Sequence, residues 1–213
     1  MKDKKLIAFD LYDTCFSFDT SKESTSDAEF FSGLGISHIQ HELRKILMTS
    51  HRSIEDVLSN LLPKYDMHVQ LEQYYRDVSK KISSVQLFPE TESTLMALHQ
   101  RWYKIAAVSN LSQSYIEPLR VLLPHIFDYE VLSCDVGITK PDPRIFDCLK
   151  NISWYGSDGI VMVGDSIFSD VQWAKNAGIT PIHIQRNLTS AKKPVEYIQI
   201  SSLSELLDIF KGV

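Results

Sequence analysis

The sequence predicts an α/β protein: a doubly wound parallel sheet core, interrupted after its first strand by an inserted all-helical domain. Three observations carry this. Short apolar runs recur at wide spacing, at residues 6–9, 105–108, 130–132, 160–163, 182–184 and 197–200. Several are β-branched or aromatic and apolar on consecutive positions, as strands buried on both faces are. Helical segments separate the later runs, the alternation that builds a parallel sheet. Nearly a hundred residues lie between the first run and the second, far too many for one crossover.

In chain order, Leu6 to Phe9 form the first strand, which runs into Asp10. Residues 16–86 then read as helices only, at 27–33, 38–49, 54–62 and 71–82, with no convincing strand. Ile39, Leu43, Ile46 and Leu47 fall at helical spacing. The expected organisation is a core of residues 1–15 and 87–213 and a small helical domain of residues 16–86 over the end of the sheet. Its hinges are expected near 15–20 and 85–89. A helix at 90–102 carries Leu95, Met96 and Leu98 on one side, and one at 114–123 carries Ile116, Leu119, Leu122 and Leu123. Pro143 suits the first turn of a helix over 143–149, and Gly178 suits the C-cap of one over 169–177.

The 213 residues are 44% hydrophobic and 23% charged, which excludes a disordered or fibrous chain. A net charge of −5 argues against nucleic acid as a partner, because such binders carry a basic stripe. The apolar run after the basic N-terminal residues is four residues long. Secretory signals need about 7–15 apolar residues and membrane spans about 18, so no membrane partner is expected. Cys15, Cys134 and Cys148 are an odd count without a C-x-x-C pair, which fits a reducing, cytoplasmic location.

Four segments fall where strands should end: Asp10-Leu11-Tyr12-Asp13-Thr14, Ser109-Asn110, Lys140-Pro141-Asp142-Pro143, and Gly164-Asp165-Ser166 with Asp170 beyond it. Ligands of open α/β sheets bind outside the carboxyl ends of the strands, so these groups would converge. Asp10, Asp165 and Asp170 packed together would repel and raise one another's pKa. A hard cation such as Mg²⁺, which takes one or two carboxylates, waters and a phosphate oxygen, removes that conflict. The Ser109 hydroxyl and the Lys140 ammonium suit a phosphoryl group in transfer, and a carboxylate can itself be the nucleophile.

These four motifs, in this order and across the whole chain, resemble the haloacid dehalogenase-like (HAD) hydrolase superfamily, with a Rossmann-like core and a helical cap inserted after the first motif. The resemblance implies a phosphatase acting on a small phosphorylated metabolite. Asp10 would be the nucleophile, and Ser109 and Lys140 would hold the phosphoryl oxygens. Thr14 would support the first loop. Mg²⁺ would bind Asp10, the backbone carbonyl of Tyr12, and Asp165, with Asp170 a further ligand or a partner behind them. Asn110 and Ser166 are expected to support the phosphate site rather than react.

One departure stands out. Phosphatases of the family usually carry a second aspartate two residues after the nucleophile, as acid and then base; here that position is Tyr12. Asp13 is one residue off and is expected to point elsewhere. Tyrosine at this position resembles the dehalogenases, which attack carbon without a metal. The Gly164-Asp165-Ser166 stretch with Asp170 has the phosphatase form. A 2-haloacid dehalogenase therefore stays open as an alternative, as does a non-catalytic phosphate- or protein-binding module. Arg44 is the nearest match to the dehalogenase carboxylate clamp, although a surface position is the plainer reading. Asp142 is read as a helix cap. His38 and His41, three apart without a third ligand, are read as solvated or packing residues.

Overall fold

The computed structural model describes residues 5–19, 37–53, 56–60, 71–186 and 196–211. The first core strand, β1 (Leu6–Phe9), is completely buried along its length. Phe9 and Ile7 face one hydrophobic layer with Leu95, Leu98, Ile105, Val163 and Phe210. Leu6 and Ala8 face the other, with Val108, Phe146, Leu149, Met162 and Ala174. The period of two in side-chain direction thus explains why an unbroken apolar run is needed: both faces are covered.

The remaining core strands are β4 (Lys104–Ser109), β5 (Tyr129–Leu132), β6 (Ile160–Gly164), β7 (Thr180–Ile184) and β8 (Ile198–Ile200). All pair in parallel, in the order β5-β4-β1-β6-β7-β8. Counting only these six, the order is 3-2-1-4-5-6, the doubly wound arrangement with its switch beside the first strand. The register sets Phe9 against Ala107 on one side and Val163 on the other, and the Asp10 amide donates to the Val163 carbonyl at 2.9 Å. Asp10, Ser109 and Asp165 therefore leave the same edge of the sheet.

The expectation of helix alone across residues 16–86 is corrected at both ends. A short antiparallel ribbon of β2 (Phe16–Phe18) and β3 (Val85–Leu87) forms where the hinges were expected. Between them are the helices α1 (Gln40–Met48), entered through a 3₁₀ turn, and α2 (Leu71–Ile82). The expected helix at 27–33 lies outside the described residues; of that at 54–62, residues 56–60 are described and are helical. Just beyond α1, His51 Nε2 lies 2.9 Å from the Asp135 carboxylate of the core.

Two core helices also differ in detail. The helix after Pro143 runs longer than expected, over Arg144–Ser153, and the Asp142 carboxylate accepts from the Arg144 amide at 3.0 Å, as a cap does. The helix expected at 169–177 begins instead as a π-helical turn over Ile167–Gln172, because the Ser166 hydroxyl accepts the Ser169 amide and starts it early. Among the described residues no helix is long and apolar enough to cross a membrane.

Candidate active site

The site begins with Asp10, the first residue past β1. Its Oδ1 accepts from Lys140 Nζ at 2.6 Å, and the same ammonium donates to Asp170 Oδ1 at 2.7 Å. Lys140 is only 5% exposed. Burial alone would lower its pKa, but the Asp10 and Asp170 charges outweigh it and hold the ammonium above its ordinary value. Asp170 Oδ2 accepts the Ser166 amide at 3.1 Å, so both of its oxygens are engaged.

Gly164 makes this approach possible. A Cβ there would lie 2.4 Å from the Asp170 carboxyl carbon, closer than real side chains come. The glycine ending β6 is what lets Asp170 fold back under the strand end.

Asp165 completes the cluster. Carboxylate oxygens of Asp10, Asp165 and Asp170 lie within 4.8 Å of one another. Burial, then the charges of Asp10, Asp170 and Asp13, push Asp165 up to about 6. Burial likewise pushes Asp170 up to about 6, with Lys140 opposing and Asp10 adding to the rise. Three carboxylates face one ammonium, which leaves two negative charges without a counterion among the described residues. An all-oxygen donor set with that balance fits a hard divalent cation such as Mg²⁺.

Ser109 ends β4 and is buried, and among the described residues its hydroxyl has no hydrogen-bond partner. Asn110 follows it and grips the peptide of Lys140: Nδ2 donates to the Lys140 carbonyl and Oδ1 accepts the Lys140 amide, both at 2.7 Å. Thr14 is buried and places Oγ1 3.4 Å from Asp165 Oδ1. The structure thus brings Asp10, Thr14, Asn110, Lys140, Asp165 and Asp170 together, with Ser109 beside them.

Tyr12 is committed elsewhere. Its hydroxyl donates to the Tyr115 carbonyl at 3.0 Å, and its ring stacks on Phe18 and packs against Phe16 and Tyr115. Burial pushes the phenol well above its ordinary value. Asp13 is closer to the site than expected. It adopts a left-handed backbone, φ 63°, and lines a cavity of about 390 Å³ with Asp165 and His183. Burial and the Asp10 charge raise its pKa, against the pull of Arg186.

Two contributors went unnoticed in the sequence. The His183 ring, through Nε2, lies 2.9 Å from the Asp165 carbonyl oxygen. Arg186 donates to the Thr14 carbonyl, pairs with Glu90 at 2.7 Å and stacks on Phe88, 3.3 Å from the ring centroid. Both lie on or just after β7, and that position at the sheet's carboxyl edge is the signal that could have found them. Cys15 is fully buried, and burial raises its thiol pKa, so it is not a reactive thiolate.

Residues 23–184 match the family model described as haloacid dehalogenase-like hydrolase. The chain is 31% identical over 137 residues to a glyceraldehyde 3-phosphate phosphatase of Methanothermobacter thermautotrophicus, covering 61% of each protein. It therefore spans about three fifths of that relative's length. It is 29% identical over 196 residues to a phosphoglycolate phosphatase of Aliivibrio fischeri, covering 83% of this chain and 82% of the relative. A solved HAD phosphatase from Thermococcus onnurineus superimposes with a TM-score of 0.67 at 25% identity, over 98% of both chains. A solved dehalogenase superimposes with a TM-score of 0.69 at 21% identity, over 99% of this chain and 98% of that one, a likeness of fold alone. With the sheet order and the strand-end carboxylates already in place, the match over three quarters of its length makes this chain a member of the haloacid dehalogenase-like hydrolase family.

Proposed function

We propose that the chain is a Mg²⁺-dependent phosphohydrolase for a small phosphorylated metabolite, with Asp10 as nucleophile. The carrying observation is the Lys140 ammonium bridging Asp10 and Asp170 beside Asp165, a cluster short of two positive charges. The names of the two phosphatase relatives point the same way. Asp10, the Tyr12 backbone carbonyl and Asp165 would hold the cation, with Asp170 behind them. When bound, it neutralises charge on the transferring phosphoryl oxygens.

Lys140 holds Asp10 Oδ1, which leaves Oδ2 to attack phosphorus in line with the departing oxygen. The Asp10–phosphorus bond forms as the ester bond breaks, and the leaving group departs with that electron pair. The Ser109 hydroxyl and the remaining donors of Lys140 orient the phosphoryl oxygens. Asp170 and Asn110 fix Lys140 through its ammonium and its peptide. A water oxygen then bonds to phosphorus as the Asp10–phosphorus bond breaks, its electron pair returns to the Asp10 carboxylate, and the water's proton passes to solvent or the phosphate released. The Tyr12 hydroxyl is bonded to Tyr115 and holds its proton tightly, so it supplies no proton to the leaving oxygen.

We assign residues 16–86, including α1 and α2, to a cap over the carboxyl edge of the sheet, whose closure excludes water. The cytoplasm suits the three unpaired cysteines. A phosphometabolite panel with Mg²⁺, run on wild type and Asp10→Asn, tests the proposal: turnover is expected only in wild type, and equal turnover in both overturns it. Tyr12 favours a second reading, a 2-haloacid dehalogenase using Asp10 on carbon. Halide release that persists in EDTA would establish that reading instead.

A further inference from the structure

We infer that His183 is a positioning residue for the cation site: its ring clamps the Asp165–Ser166 peptide, and that clamp keeps Asp165 and Asp170 turned toward Asp10. The inference rests on the phosphohydrolase reading with its Mg²⁺ site. It names a residue that acts through Asp165 and Asp170 rather than on the cation.

His183 lies on β7, opposite Gly164 of β6, and is only 4% exposed. The pairing of the two strands ends there, so the Asp165 carbonyl, one residue on, leaves the ladder. The Gln185 amide is spent on the other side, on the Ile200 carbonyl of β8 at 2.9 Å. The imidazole takes the place of a backbone donor: Nε2 lies 2.9 Å from the Asp165 carbonyl oxygen. A carbonyl only accepts, so Nε2 carries the hydrogen and donates it. Gln199 Nε2 lies 3.5 Å from the other ring nitrogen, Nδ1, and donates to Gln185 Oε1 at 2.7 Å. Tyr197 packs edge-on against the ring, with centroids 5.7 Å apart. These neighbours hold the ring's tilt.

The same peptide is held at its other end. Its amide, that of Ser166, donates to Asp170 Oδ2 at 3.1 Å. One rigid plane therefore joins His183 to Asp170, with the Asp165 α-carbon on its edge. Rotation of that plane would break the Asp170 contact and disturb the Asp165 side chain together. A donor on the carbonyl also polarises the amide, which strengthens its bond to the Asp170 carboxylate. The frame has work to do, because three carboxylates within 4.8 Å repel one another. The Thr14 hydroxyl, 3.4 Å from Asp165 Oδ1, is a long contact and steadies that carboxylate little, so its aim comes from the backbone.

Isothermal titration calorimetry with MgCl₂ on wild type, His183→Phe and His183→Gln tests this, beside turnover of p-nitrophenyl phosphate against Mg²⁺ concentration. Phenylalanine keeps a ring and loses the donor; glutamine keeps a donor of similar reach and loses the ring. His183→Phe is expected to weaken Mg²⁺ binding about tenfold to a hundredfold, the scale of a lost hydrogen bond behind a metal ligand. Its apparent KM for Mg²⁺ should rise by the same factor, while kcat at saturating Mg²⁺ stays near that of wild type. His183→Gln should bind Mg²⁺ close to wild type. Packing alone predicts the opposite order, with glutamine weak and phenylalanine unchanged, and that order overturns the inference. Unchanged affinity in His183→Phe overturns it too, as does a loss in His183→Gln equal to that in His183→Phe. If one variant does not fold, the affinity of the other decides by the same criteria. In all these cases Mg²⁺ binding and turnover by wild type leave the phosphohydrolase reading standing. Wild type that neither binds Mg²⁺ nor turns over the ester overturns that reading and this inference with it.

Discussion

The side-chain amide of Asn110 holds the peptide of Lys140 by both its polar groups, at 2.7 Å each, across 30 residues of sequence. The strand end that supplies Ser109 thereby fixes the loop that supplies the ammonium. A lysine carries several rotatable bonds, and its aim at Asp10 is only as good as the backbone beneath it. Net contributions of about 0.5–1.5 kcal/mol per hydrogen bond make the pair worth about 1–3 kcal/mol of placement. Asn110→Ala is expected to lower kcat on an aryl phosphate about tenfold to a hundredfold while near-ultraviolet circular dichroism stays native. An unchanged kcat would show that Lys140 is held by its carboxylate partners alone.

Gly164→Ala tests how Asp170 reaches Lys140. The new methyl would meet the Asp170 carboxyl at 2.4 Å, and that carboxylate is held in place by the Lys140 ammonium and the Ser166 amide. Overpacking of this kind costs about 1–3 kcal/mol, seen as a lower denaturant midpoint. Because Asp170 steadies Lys140, turnover should fall as well. A variant with wild-type stability and turnover would contradict the close packing.

The raised carboxylates make a signed pH prediction for metal-free protein. Asp165 sits at about 6 when folded, above its ordinary value of 3.8, so between these values the folded state binds more protons than the unfolded one. Its contribution to stability therefore falls as pH rises through that window. In EDTA, Asp165→Asn should melt higher than wild type at pH 8, and the gain should vanish near pH 4. A gain that is constant with pH would contradict the assignment, and Mg²⁺ should reverse it by stabilising wild type.

Tyr12 sets the leaving-group prediction. Without general acid help, worth about 10²–10⁴-fold, aryl, enol or acyl phosphates should be turned over far faster than alkyl phosphates. Comparing an aryl with an alkyl phosphate checks this, and equal rates would contradict it. Tyr12→Asp should raise alkyl-phosphate turnover. It should also destabilise the protein, since it removes a ring packed among Phe16, Phe18 and Tyr115.

Most of the core was legible because burial on both faces leaves a local mark: all six core strands overlap their apolar runs. The meeting of Asp10, Lys140 and Asp165 was legible because strand ends of such a sheet share an edge. The ribbon of Phe16–Phe18 with Val85–Leu87 left no mark, since three residues are too few to show a period and its pairing spans the whole insertion. The pairing of Arg186 with Glu90 and the Tyr12 aromatic cluster were illegible for a similar reason. The first joins residues distant in sequence whose types are ordinary on a surface, and the second closes only when Tyr115, far along the chain, meets Tyr12. His41, Arg44 and Lys45 of α1 were visible as residues but not as the wall of a cavity, because only the docking of α1 sets them opposite Lys140.

The most direct test is the mass of the Asp10-containing peptide after acid quench of wild-type enzyme turning over an aryl phosphate with Mg²⁺. With no acid–base residue at position 12, the covalent stage should break down slowly enough to trap. A phosphoryl mass gain on that peptide, absent in EDTA and in Asp10→Asn, is the expected result. Sustained turnover with no gain at Asp10, or turnover that survives Asp10→Asn, would contradict it.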